Sequence, residues 1–151
     1  MAEQDVRDLV GLVADAASAF IRGDMYRYTA LIKHTGDYTL LAPFGGEPVH
    51  GFDDSAESLT ATARWFGGGE ADVELVESYV SGDLAVLVVI ERQHGLVGGM
   101  PDQDWSLRVT LVFRREEAEW RLAHRHADPL MHRVSTNVAA ALARGDLGAD
   151  D

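Results

Sequence analysis

Between Asp72 and Asp128 the chain reads as strand after strand, in four stretches: Asp72 to Val80, Leu84 to Gln93, Trp105 to Arg115 and Glu119 to about Asp128. They are separated by SGD, GLVGGMPDQ and EEA, turn-forming segments too short to carry a crossover helix. Neighbouring strands joined this way run antiparallel. The second half of the molecule is therefore expected to be a meander, and what precedes it must cover one face of the resulting sheet.

The first half supplies that cover. Val6, Leu9, Val10, Val13, Ala16, Ala17, Phe20 and Ile21 fall on one helical stripe, ended by Gly23, and Asp24 is placed to cap a short second helix from Met25 to about Lys33. A strand is expected around Tyr38 to Ala42, broken by Pro43 and two glycines. A third helix follows, with Asp54 and Glu57 spaced as a capping box and the triple glycine at 67–69 as its stop. The weakly apolar segment 132–151 is expected to form a terminal helix or tail. The expectation is a single α+β domain over residues 1–151, with its core in about 5–130 and a curved antiparallel sheet wrapped around the N-terminal helices.

Composition narrows the function classes. With 25 acidic against 13 basic residues the formal charge is −12, which disfavours nucleic acid and anionic membranes as partners. The chain has no cysteine, so thiol catalysis and cysteine metal ligation are excluded. LAVLVVI at 84–90 is too short to span a bilayer, and MAEQDVRDLV lacks the basic start and apolar run of a secretory signal, so a cytoplasmic location is expected. None of the glycine clusters has the flanking residues of a phosphate-binding loop or the spacing of a dinucleotide site.

The end of the last strand carries the polar residues of most interest. In WRLAHRHADPL, simple alternation puts Trp120, Leu122, His124 and His126 on the inner face, and Arg121, Ala123 and Arg125 on the outer one. A two-residue turn within EEA sets Trp120 opposite Arg115, Leu122 opposite Phe113, His124 opposite Leu111 and His126 opposite Val109. Inward histidines beside a helical layer imply a core that opens into a cavity. There His126 is the candidate acid/base, with His124 or Asp128 as its orienting partner. Two histidines without a fixed third ligand are a weak metal motif, and no metal or cofactor is expected.

On the strand AVLVVIERQH, Glu91 continues the face of Ala85, Leu87 and Val89. If that face looks inward, Glu91 is a buried carboxylate and a second candidate acid/base group; if the other face does, Arg92 and His94 take its place. Among the aromatic residues, Tyr28 and Trp65 are the candidates for ligand contact.

The stretch LRVTLVFRREEAEWRLAHRHADPL, with Trp120, His124, His126 and Asp128 in their spacing, resembles the last hairpin of SnoaL-like, DUF4440-type members of the NTF2-like superfamily. That superfamily also includes ketosteroid isomerases, polyketide cyclases and the association domain of calcium/calmodulin-dependent kinase II. The resemblance implies a cystatin-like cone with an apolar pocket. It also implies either a small-molecule-binding protein with cofactor-independent isomerase, cyclase or dehydratase chemistry on an apolar or carboxylated substrate, or a non-catalytic ligand-sensing or oligomer-assembly module. Self-association as a homodimer is expected through the outer sheet face, where Arg108, Thr110, Val112, Arg114, Arg121 and Arg125 would lie.

Overall fold

The computed structural model describes residues 2–147. The predicted first stripe is helix α1 (Ala2–Ile21), which buries Leu9, Val13, Ala16, Ala17, Ala19 and Ile21. Its buried alanines hold the helix close to the sheet, and two of them, Ala16 and Ala17, leave the space in front of them unfilled. Helix α2 (Met25–Leu31) starts where expected, with the Asp24 carboxylate accepting from the Arg27 N–H at 3.2 Å. Strand β1 (His34–Leu41) begins earlier than the sequence suggested, and β2 (Val49–His50) is a short addition at its edge.

Helix α3 (Ala56–Trp65) is capped one residue later than the capping-box spacing proposed: the Ser55 hydroxyl accepts from the Ser58 N–H at 3.2 Å. The triple glycine does not form a loop. Strand β3 (Phe66–Ser81) starts at once and incorporates it, because Gly69 and Gly95 lie against the facing backbone where no side chain fits. Strands β4 (Leu84–Val97), β5 (Gln103–Asp104), β6 (Leu107–Glu116) and β7 (Glu119–Pro129) complete the sheet, in the order β2-β1-β7-β6-β4-β3 with β5 on β4. Every neighbour is antiparallel except β1, which runs parallel to β7. The last helix, α4 (Thr136–Arg144), is capped by Ser135 and ended by Gly145. The final residues of the predicted tail, 148–151, lie outside the described residues.

The β6–β7 hairpin has the expected turn, with Glu117 and Ala118 at φ 52° and 66° and Trp120 opposite Arg115. Two positions further on, the expected register fails. Leu122 faces Phe113, but His124 faces Val112, so Ala123 is an extra residue in β7. This β-bulge bends the strand and inverts its alternation. From there on Arg125 pairs with Leu111 and Ala127 with Val109, on the inner face, while His124, His126 and Asp128 pair with Val112, Thr110 and Arg108 on the outer one. The adjacent burial of Leu122 and Ala123, impossible in a regular half-buried strand, is the bulge's signature.

Among the described residues no helix is long and apolar enough to cross a membrane. The core lies between α1, α2 and the inner sheet face, with Phe113, Leu9, Ile21, Leu87, Leu122 and Val89 nearly inaccessible.

Candidate functional site

The inner face of the sheet and the helices do not close on each other completely. They enclose a cavity of about 1000 Å³, lined mainly by apolar residues from α1, α2, α3, β1 and the strand ends. Its deep wall includes Leu111, Phe113 and Leu122 from the β6–β7 hairpin, and its rim carries Phe44, Trp65 and Trp105. Phe44 meets Trp65 and Trp105 edge-on, with ring centroids 6.4 and 6.5 Å away.

One charged pair lies inside this apolar space. Glu91, 3 % exposed, continues the inward face of β4, and Arg125 is turned toward it by the bulge. The Arg125 guanidinium donates from Nη1 to Oε2 at 2.8 Å and from Nη2 to Oε1 at 3.0 Å, a bidentate pair. Burial alone would lower the Arg125 pKa, but the Glu91 charge and its two hydrogen bonds outweigh burial and raise it. Both carboxylate oxygens are engaged. The guanidinium, with five N–H donors, keeps three without a protein acceptor among the described residues.

Two tyrosines share this end of the cavity. Burial raises the Tyr28 pKa well above the ordinary tyrosine value, with a further contribution from Tyr38, while Arg125 opposes it. Burial raises that of Tyr38 in the same way, again against Arg125. Both phenols are therefore neutral at physiological pH. The Tyr28 hydroxyl lies 3.4 Å from Nε2 of His34, whose ring stacks on Phe52 at 3.8 Å and meets Tyr38 at 4.5 Å.

Burial lowers the His34 pKa to about 4, with Asp54 opposing the shift. An unfolded chain takes up this proton near 6.5 and the folded one only near 4. The folded state therefore loses stability as pH falls through that interval, and this group contributes no change above it. Allowing for partial solvent access, the loss is on the order of 2 kcal/mol. Urea unfolding at pH 7 and pH 4.5 should show a smaller drop for His34→Phe than for the wild type. Equal drops would assign the acid sensitivity to other groups.

The sequence-based candidates divide between the two faces. Tyr28, Trp65 and Glu91 line the cavity. His124, His126 and Asp128 do not: the inward placement expected for the histidines is corrected by the Ala123 bulge, which turns them to the outer face. There His124 Nδ1 lies 2.7 Å from the Thr39 hydroxyl and His126 Nε2 lies 3.0 Å from Asp128 Oδ2. The expected pairing of Asp128 with a histidine exists, but away from the cavity. Arg125, placed outside by simple alternation, is likewise corrected to the inside. Arg92 and His94, the alternative inward pair on β4, point out toward Glu74 and toward Asp102 and Glu70.

Arg125, Tyr38, His132 and His34 were the residues missed. A signal for Arg125 existed, since a carboxylate continuing an apolar face needs a buried cation, and arginine suits a two-point pair. Among the described residues no group of three or more acidic or histidine side chains is arranged to hold a metal ion.

A cone of helices and curved sheet around an apolar cavity, with a few convergent polar groups at its deep end, defines the class of small α+β domains built around an internal pocket. Within that class the chain belongs to the SnoaL-like domain family, whose model matches residues 10–131. No curated protein sequence matches it. Solved structures share the fold at low identity. A candidate dehydratase of the NTF2-like family from Streptomyces avermitilis has TM-score 0.64 and 23% identity, over 87% of this chain and 100% of that one. A candidate scytalone dehydratase from Novosphingobium aromaticivorans has TM-score 0.68 and 15% identity, over 89% and 91%. The association domain of calcium/calmodulin-dependent kinase II from C. elegans has TM-score 0.60 and 14% identity, over 83% and 96%.

Proposed function

We propose that the protein binds a small, largely apolar organic molecule bearing a neutral oxygen function, and acts on it by acid/base chemistry of the isomerase, cyclase or dehydratase kind. The observation that carries this reading is the bidentate Arg125–Glu91 pair inside an apolar cavity. Such a pair adds little to stability compared with an apolar replacement, so its presence is better explained by a ligand than by folding. The two charges cancel, so the site favours a carbonyl or hydroxyl over a free carboxylate, which Glu91 would repel. The free N–H groups of Arg125 polarise the ligand oxygen, and Glu91 holds the guanidinium in place. The neutral Tyr28 and Tyr38 hydroxyls supply the other hydrogen-bonding groups at that end of the cavity. At the mouth His132, which also lines the cavity, takes the part that the outward histidines do not fill. The fold's occurrence among candidate dehydratases supports this class of chemistry.

Self-association through the outer sheet face belongs to the same proposal, with Thr110 and Val112 on that face and Arg125 no longer part of it. Native mass spectrometry of the purified protein, followed by denaturing release, tests both parts. The expected result is a dimer carrying one apolar, oxygen-bearing molecule per chain. Protein that is empty as purified, and whose tryptophan fluorescence does not respond to aromatic alcohols, would overturn the ligand-binding reading.

A further inference from the structure

His34 lies behind Tyr28 and takes no part in the chemistry proposed above. Its ring belongs to a second, polar groove of about 480 Å³ on the other side of Tyr28, lined also by Lys33, Asp54, Glu119 and Arg121. Tyr28 lines the main cavity, so the 3.4 Å approach of its hydroxyl to His34 Nε2 joins the two spaces. The imidazole is wedged between Phe52 and Tyr38, so its orientation is set by packing.

The direction of that hydrogen bond decides what the cavity recognises. The imidazole is neutral over the physiological range and so carries one proton. Its Nδ1 has no protein hydrogen-bond partner among the described residues, while the ring lines a groove shared with Asp54. With Nε2 turned to Tyr28, the Asp54 charge on the groove side favours the proton on Nδ1. Nε2 is then an acceptor and the Tyr28 hydroxyl donates to it, leaving the phenol oxygen with only lone pairs to offer the cavity.

We infer that His34 is the positioning residue of Tyr28: it occupies the Tyr28 proton, turns the phenol oxygen into an acceptor facing the cavity, and so makes the site selective for ligands bearing a hydroxyl. This rests on the cavity being a ligand site and deepens that reading by naming the ligand group. Arg125 donates to the ligand oxygen, and Tyr28 accepts its proton. An alcohol, phenol or enol satisfies both, whereas an ether or a ketone satisfies only the first. The charged and titratable groups around the pair are Tyr38, Arg125 and Glu91 on the cavity side and Lys33, Asp54, Glu119 and Arg121 on the groove side, of which Asp54 acts most directly on the imidazole.

The test compares 2-naphthol with 2-methoxynaphthalene, which differ in the hydroxyl proton, by tryptophan fluorescence titration at pH 7. Wild type should prefer 2-naphthol by roughly tenfold, about what one buried hydrogen bond confers. His34→Phe keeps a flat ring against Phe52 but offers no acceptor, and should bring the ratio close to one without weakening 2-methoxynaphthalene. His34→Gln offers a carbonyl acceptor and should retain most of the preference. An undiminished ratio in His34→Phe, or an equal loss of affinity for both probes, would overturn the positioning role while leaving the cavity reading intact. Failure of wild type to bind either probe would overturn the cavity reading, and this inference with it.

Discussion

Replacing Arg125 with alanine is expected to destabilise the protein by about 3–5 kcal/mol, because it leaves Glu91 buried without its counter-charge. In a chain of this length that is a fall in melting temperature of roughly 6–20 °C. The companion variant, Arg125→Met with Glu91→Leu, removes both charges and fills the space with apolar atoms. It should recover most of the stability while losing the preference for oxygen-bearing ligands. Denaturant unfolding of the three proteins beside ligand titration separates the two roles. A loss below about 1 kcal/mol in Arg125→Ala would show that Glu91 reaches water, contrary to its burial. A double variant that still discriminates ligand oxygens would remove the pair from the site.

Gly95→Ala is the second large effect. A Cβ there would run into the Gly68 carbonyl oxygen on β3 and come within 3.0 Å of Ile21 Cγ1 at the end of α1. Neither neighbour gives way easily, one being backbone in a paired strand and the other a fully buried side chain. Overpacking of this kind costs about 3 kcal/mol or more. The damage falls where α1, β3 and β4 meet and hold Phe66 and Trp65 over the cavity. Unfolding should therefore shift strongly, and probe binding should weaken even where the protein stays folded. Unfolding indistinguishable from wild type would mean that the strands separate here without cost.

The fold was largely legible in local sequence. The helical stripe of α1, the Asp24 cap, the Glu117–Ala118 turn and the four long strands follow from periodicity and turn chemistry, each a matter of neighbouring residues. The departures are also local in appearance but not in cause. A triple glycine reads as a helix stop, yet here its last member, Gly69, lies directly against the backbone of β4 across the sheet. The parallel docking of β1 on β7 leaves no mark in either strand, because it joins segments more than eighty residues apart.

The site was legible only in part. Tyr28, Trp65 and the inward option for Glu91 came from residue type and alternation, and the cavity receives all three. The H-x-H motif drew attention to the right strand and the wrong face. Side-chain direction along β7 is a count of residues from a fixed point, and one unpaired residue at Ala123 changes its parity for everything beyond. His34 could not be singled out at all, since its effect comes from a ring stack with Phe52 and a hydroxyl on another element.

By itself, then, the sequence determined the class of fold, the strand whose polar end borders the cavity and the residue types available to it, because these depend on short-range periodicity and composition. The tertiary structure alone decided that Arg125 rather than His126 faces the cavity, that Glu91 is its partner and that Tyr28 is backed by His34. Each of those depends on a bulge, a sheet curvature or a packing contact between distant segments, and such contacts form only when the whole cone closes.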